Sequence, residues 1–188
     1  MLDMELGRRR LLGAALVGGA MMTLGAGKAF AAGLQTERRI AFRNIHTNET
    51  FDARFFGANG WDKQGLAELN HGLRDWRNND TTQMDPELML LLSQIRDKLD
   101  VAPQTKIDLI SGYRSPATNT ALRARGGAHT GVATKSQHML GKATDIHMPG
   151  VALDRLHMAA MSMQAGGVGY YPKDGFVHVD TGRVRHWG

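Results

Sequence analysis

His138, Asp145 and His178 are the side chains of this 188-residue chain best suited to chemistry. His138 lies in Ser136-Gln137-His138-Met139-Leu140-Gly141-Lys142-Ala143-Thr144-Asp145, and His178 in Phe176-Val177-His178-Val179-Asp180. A histidine at the end of a loop, a glycine that lets the chain turn and an acid on the next strand bring two side chains together. A histidine on a neighbouring strand supplies a third. Two imidazoles and a carboxylate bind Zn2+ well and leave a fourth position for water. Water held there reaches a pKa of about 7, which makes a nucleophile available at neutral pH. Spacing alone also admits hydrogen-bonded core histidines and a turn carboxylate. Arg114, in Ser111-Gly112-Tyr113-Arg114-Ser115-Pro116, sits where a strand gives way to a helix. From there a guanidinium reaches a substrate carbonyl or carboxylate and stabilises developing negative charge; the alternative is a surface pair with a nearby acid.

Other chemistries are excluded. The chain has no cysteine, which removes disulfides, Cys-ligated zinc, iron–sulfur sites and thiol catalysis. It has no H-E-x-x-H, G-x-S-x-G or S-x-x-K, and Gly141-Lys142 runs into Ala143 without the glycine spacing of a phosphate loop. Asp180, two residues after His178, shares a strand face with it. It orients that imidazole, accepts a proton, or is simply structural. Phe176 stands two before His178, so there is no H-x-H pair, and Asp174 falls in a turn. His186 either folds back over the metal or sits on the surface. His147 shares a face with Asp145, as a supporting residue or a core histidine, and His129 lies in the loop before His138. His46, His71 and His157 read as turn, packing or surface residues. Met139, Met148, Met158, Met161 and Met163 read as core fillers. Tyr170, Tyr171 and Trp187 either flank a substrate or pack the core.

The elements that must position these groups follow from periodicity. Arg39 to Ile45 and Thr50 to Phe56 alternate apolar residues around the turn at His46-Thr47-Asn48-Glu49, as two strands do. Leu66, Leu69, Leu73 and Trp76 predict a helix over Lys63 to Trp76. Asp85-Pro86 is an N-cap and first-turn pair opening a helix to about Leu99. A strand over Lys106 to Ser111, a helix from Ser115-Pro116 to about Arg125 and a Gly/Thr/Ala-rich loop over Gly126 to Gln137 come next. Ala143 to Met148 is a strand, Leu153 to Gln164 a helix stopped by Gly166-Gly167, and Gly167 to Tyr171 with Phe176 to Thr181 a closing hairpin. The fold expected is α+β: a small, mostly antiparallel sheet with helices packed on one side.

The serine–glycine–tyrosine–arginine run at Ser111, the S-x-H-x-x-G-x-A-x-D run from Ser136 to Asp145 and a terminal strand histidine resemble the zinc D-alanyl-D-alanine peptidase group, to which the hedgehog domain is distantly related. More closely, the mature chain resembles the murein endopeptidase K family. Further matches are Leu73-Arg74-Asp75-Trp76-Arg77, Gly166-Gly167-Val168-Gly169-Tyr170-Tyr171-Pro172, Phe176 to Gly182 and Val184-Arg185-His186-Trp187, spanning about Glu37 to Gly188. The resemblance implies a periplasmic zinc peptidase that cuts peptide cross-links in peptidoglycan, with His138, Asp145 and His178 as zinc ligands. It also implies Arg114 as the group that polarises the substrate or holds the oxyanion; the position of Asp180 and His186 in the sequence, not the resemblance, makes them further catalytic candidates. A zinc-containing wall-binding domain without catalysis is the alternative. Peptidoglycan stem peptides are the expected partner, and the enzyme is expected to be monomeric.

Residues 1–31 read as an address. Arg8-Arg9-Arg10 is followed by Leu11-Leu12, a Gly/Ala/Leu/Met stretch runs to about Gly27, and Ala29-Phe30-Ala31 is an A-x-A cleavage site. Paired arginines before two apolar residues match the twin-arginine signal; a general secretory signal is the alternative. The apolar run is too short and glycine-rich for the roughly 20 residues of a membrane span. The peptidase domain is then residues 32–188. Removal of four cations and two acids takes the net charge from +5 to +3, too diffuse for nucleic acid. Replacing Arg8 and Arg9 with Lys leaves uncleaved precursor in the cytoplasm, read by fractionation and immunoblot; normal export would contradict the twin-arginine reading.

Overall fold

The computed structural model describes residues 37–126 and 132–188, so the signal segment and His129 lie outside the described residues. Strands β1 (Arg38–Asn44) and β2 (Thr50–Gly57) form the expected antiparallel pair, with Ile40 opposite Ala53 and Phe42 opposite Phe51. The Asn44 side chain closes the turn by accepting from the His46 and Thr47 amides. After β3 (Gly60–Trp61), the Asp62 carboxylate caps helix α1 (Lys63–Gly72) through the Gln64 and Gly65 amides. Helix α1 packs on β2 at two glycines. A Cβ at Gly65 would overlap the Arg54 carbonyl, and one at Gly72 would lie 2.4 Å from the Phe51 ring.

Helix α1 ends four residues before the Trp76 that its periodicity suggested. Leu73 is buried but already caps the helix, and Trp76 stacks on His46 at 4.1 Å. The reason is Asp75. It is fully buried and accepts from the Ser115 amide at 3.0 Å and the Arg77 amide at 3.2 Å. A continued helix would carry this carboxylate away from those donors.

Helix α2 (Pro86–Lys98) starts at the Asp85 N-cap, as its sequence indicated. Strand β4 (Ile107–Ser111), helix α3 (Pro116–Gly126), a 3-10 turn over Gln137–Leu140, strand β5 (Ala143–His147) and helix α4 (Leu153–Ser162) follow, then strands β6 (Gly167–Tyr171), β7 (Phe176–Asp180) and β8 (Arg185–Trp187). Among the described residues the protein is α+β, with an eight-stranded sheet in the order β3-β2-β1-β4-β5-β7-β6-β8. The sheet is mostly antiparallel but mixed: β1 with β4 and β6 with β8 are parallel. The first parallel pair arises because α1 and α2 lie in the crossover between its strands. The second arises because the chain leaves β7, crosses the start of β6 and runs back beside it. Strands β3 and β8 were not legible in the sequence; two or three residues carry no period.

Leu88, Met89, Leu92 and Ile95 of α2 and Leu156, Ala159 and Ala160 of α4 join Ile40, Phe42, Leu109, Ile146, Val177 and Val179 in one apolar core. Met148 is buried there and Met161 and Met163 pack on its edge, whereas Met158, expected inside, is exposed on α4. Among the described residues no helix is long and apolar enough to cross a membrane.

Burial pushes the Asp75 carboxyl up, but hydrogen bonds from Thr118, Ser115 and Arg77 outweigh it and hold the group below the usual carboxylate range. A carboxyl lowered in the folded state stabilises the fold above its unfolded pKa of about 3.9, and this contribution is lost as pH falls toward the folded value. In urea unfolding of chelator-treated protein, Asp75→Asn is therefore less stable than wild type at pH 7, and the gap narrows below about pH 4. A gap independent of pH would show that the charge contributes nothing.

Candidate metal centre

The pairing register of the sheet places one row of residues across five strands. Ser111 of β4 faces Asp145 of β5, Asp145 faces His178 of β7, His178 faces Gly169 of β6, and Gly169 faces Trp187 of β8. The next row holds Ala143 opposite Asp180, then Gly167 opposite Arg185. Because side chains alternate along a strand, these groups share a face, while Thr144, Ile146, Val177 and Val179 point the other way.

The remaining donor, His138, comes from the 3-10 turn, and each fixed residue of its motif has a local cause. The Ser136 hydroxyl accepts from the His138 amide at 3.3 Å and starts the turn. Gly141 ends it at φ +67°, where an L side chain is strained, and a Cβ there would lie 2.5 Å from the Gln83 carbonyl. The Gly141 carbonyl in turn accepts from the amide of Asp85, the cap of α2. Ala143 is fully buried opposite Asp180. Asp145 then emerges beside His178.

Three donor atoms meet at one point. His138 Nε2 lies 3.2 Å from His178 Nδ1 and 3.2 Å from Asp145 Oδ1, and His178 Nδ1 lies 2.9 Å from the same oxygen. The far side of each ring settles its tautomer. His138 Nδ1 is 2.7 Å from the Gly112 carbonyl, and His178 Nε2 is 2.9 Å from Asp180 Oδ2. Both partners only accept, so both distal nitrogens carry hydrogen, and the lone pairs of His138 Nε2 and His178 Nδ1 point inward with the carboxylate oxygen. Such a set needs a cation. Ligand atoms on a tetrahedral zinc with bonds of about 2.0–2.2 Å stand about 3.3–3.6 Å apart, a few tenths of an ångström beyond the separations found. The residues present therefore fit zinc.

The electrostatics agree. Burial pushes the His138 imidazole down, against the pull of Asp145. His178 is also buried, but its bonds to Asp145 and Asp180 hold it above the usual histidine range. Asp145 stays ionised because the two histidines outweigh its burial. A divalent cation bound here would compete with a proton for these inward-facing donors.

Asp145 Oδ2 turns toward Arg114 Nη2, at 3.4 Å. The Arg114 amide donates to the His138 carbonyl at 3.3 Å, which ties the end of β4 to the 3-10 turn. Arg114 is largely buried, and its Nε is buried without a partner. These groups floor a cleft of about 150 Å3. Tyr171, Phe176 and Trp187 form an aromatic wall, and Lys135 and Gln137 also line it. Among the described lining residues Asp145 is the one carboxylate.

The other candidate residues fall elsewhere. Asp180 is fully buried behind His178, bonded to Arg185 and to the Gly167 and Gly182 amides, away from the inward donors. His186 is exposed and pairs in register with Val168, on the opposite face from Arg185 and Trp187. There it lies near His157, whose imidazole is pushed down by burial and then by His186. Tyr170 also faces that side and stacks on His157 at 4.6 Å. His147 pairs with Asp108 at 3.5 Å. Asp174 sits in the exposed β6–β7 turn.

Over residues 32–187 the chain matches the family model described as peptidoglycan L,D-endopeptidase MepK, a family of M15-type peptidases. The chain belongs to the MepK family. The peptidoglycan L,D-endopeptidase MepK of Escherichia coli K12 is 45% identical over 184 residues, covering 96% of each chain, and the Shigella flexneri protein of that name matches to the same extent. The probable peptidoglycan L,D-endopeptidase MepK of Haemophilus influenzae is 42% identical over 150 residues, covering 80% of this chain and 78% of its own.

Two groups at this MepK-family site had no role in the sequence reading: Gly112, which orients His138 through its carbonyl, and Arg185. The signal for Arg185 was present in Gly167-Val168-Gly169, where two alternate positions without side chains leave a gap that a neighbouring strand must fill. Gly141→Ala is expected to lower stability by about 1–3 kcal/mol, read by thermal unfolding. Unchanged values would show that the turn tolerates a side chain.

Proposed function

We propose that this protein is a zinc-dependent peptidoglycan endopeptidase, exported to the periplasm by the twin-arginine route, that hydrolyses peptide cross-links at a bond between an L- and a D-configured centre. The observation that carries this reading is the convergence of His138 Nε2, Asp145 Oδ1 and His178 Nδ1 at the floor of an open cleft. The relatives named peptidoglycan L,D-endopeptidase support the substrate class.

His138, Asp145 and His178 would hold the zinc, which when bound supplies Lewis acidity and a water of pKa about 7. The protein's own groups do the rest. The Gly112 carbonyl and Asp180 fix the orientation of the two imidazoles, so that the nitrogens facing the metal position are His138 Nε2 and His178 Nδ1. Arg114 lines the cleft beside Asp145, so it donates to the scissile carbonyl oxygen as negative charge builds. That charge is worth more in a partly dry cleft than in water. Tyr171, Phe176 and Trp187 offer flat apolar surface on which a peptide stem lies, and Lys135 at the exposed rim suits the carboxylates such stems carry. Asp180 serves as a positioning residue, and His186 takes no part.

Purified protein incubated with cross-linked muropeptides is expected to cleave them, to stop with a chelator and to recover with zinc. Arg114→Ala lowers kcat by about 100-fold or more while the protein still carries one zinc per chain. Turnover unaffected by chelator would sink the reading, and so would muropeptide binding without turnover in the zinc-loaded protein.

A further inference from the structure

Strand β8 has three residues, yet its side chains reach the metal centre. Arg185 Nη2 donates to Asp180 Oδ2 at 2.6 Å and Arg185 Nη1 to Asp180 Oδ1 at 3.0 Å, a two-pronged pair with a carboxylate that is fully buried. The same Asp180 Oδ2 faces His178 Nε2 at 2.9 Å. Trp187 lies beside the His178 ring at 5.2 Å between centroids, and its Nε1 donates to the Tyr171 hydroxyl at 2.8 Å.

Strand β6 is built to admit these two residues. A Cβ at Gly167 would lie 2.3 Å from Arg185 Nη1 and 2.5 Å from Asp180 Oδ2, and one at Gly169 would lie 2.6 Å from the Trp187 indole. At these positions β6 gives up its own side chains, and Arg185 and Trp187 occupy the space. A strand that only covered the sheet edge would not require this.

We infer that β8 is part of the metal centre, with Arg185 a positioning residue that sets zinc affinity by holding Asp180 against His178. Asp180 can orient the imidazole only while its own rotamer is fixed, and the fork of Arg185 fixes both oxygens. A partner of this kind, behind a metal-bound histidine, typically changes affinity by about 10–100-fold when removed. A purely electrostatic role predicts the opposite sign, because deleting a cation near a divalent site would tighten metal binding. Direction therefore separates positioning from charge. The inference rests on the zinc reading above.

The test is zinc titration of the full chain, stripped of metal, against a chromophoric chelator, for wild type, Arg185→Gln and Arg185→Lys, with thermal unfolding of each apo protein. Arg185→Gln is expected to weaken zinc binding by about 10-fold or more. Arg185→Lys keeps the charge but not the fork and should fall between it and wild type. Affinity changed by less than about 3-fold, or tightened, in folded Arg185→Gln would overturn the inference. If Arg185→Gln does not fold, Arg185→Lys decides by the same direction: weaker binding supports positioning, and wild-type affinity overturns it. A wild-type chain that binds no zinc would instead overturn the functional reading, which keeps the two failures apart.

Discussion

Three lone pairs aimed at one buried point repel one another unless a cation lies between them. That constraint governs the polar architecture around His138, Asp145 and His178. The Gly112 carbonyl and the Asp180 carboxylate each occupy the outer nitrogen of one imidazole, which leaves the inner nitrogens as donors and no other choice of tautomer. Asp180 would itself be a costly buried charge, and Arg185 with the Gly167 and Gly182 amides offsets it. The chain of compensation ends only at Arg185, which is partly exposed to water.

The sheet acts as a ruler for this arrangement. Antiparallel register puts Asp145 and His178 side by side, and period-two alternation sends their neighbours into the apolar core on the other face. A one-residue slip between β5 and β7 would separate Asp145 from His178 and bury polar groups among Val177, Val179 and Ile146, so the core enforces the register that the site needs. Glycines are spent where backbone or neighbouring side chains must come close: Gly141 in the 3-10 turn, and Gly167 and Gly169 under β8.

Loops carry the parts of the site that the sheet does not. Asp75, after α1, accepts from Ser115 at the start of α3 and so fixes the segment bearing Arg114. The Tyr113 amide donates to the Leu73 carbonyl, and the Arg114 amide to the His138 carbonyl. Two loops distant in sequence are thereby locked to the turn that presents His138. The Leu73-Arg74-Asp75-Trp76-Arg77 block is thus explained by support of the site rather than by contact with substrate.

The sequence by itself determined the local units: the hairpin of β1 and β2, the Asp85-Pro86 start of α2, the β6–β7 hairpin, and the three side chains with metal-ligand chemistry. Each rests on near neighbours, through alternation, capping or turn residues whose preferences act over a few positions. Tertiary structure alone decided the parallel pairings, the short strands β3 and β8, the early end of α1 at Asp75, and the placement of Asp180 behind His178. It also put His186 on the far face and Met158 in solvent. These outcomes depend on which strand lies beside which, a balance of packing and buried hydrogen bonds among residues up to 96 positions apart, as in the Thr181–Asp85 bond. Local periodicity carries no information about such pairings.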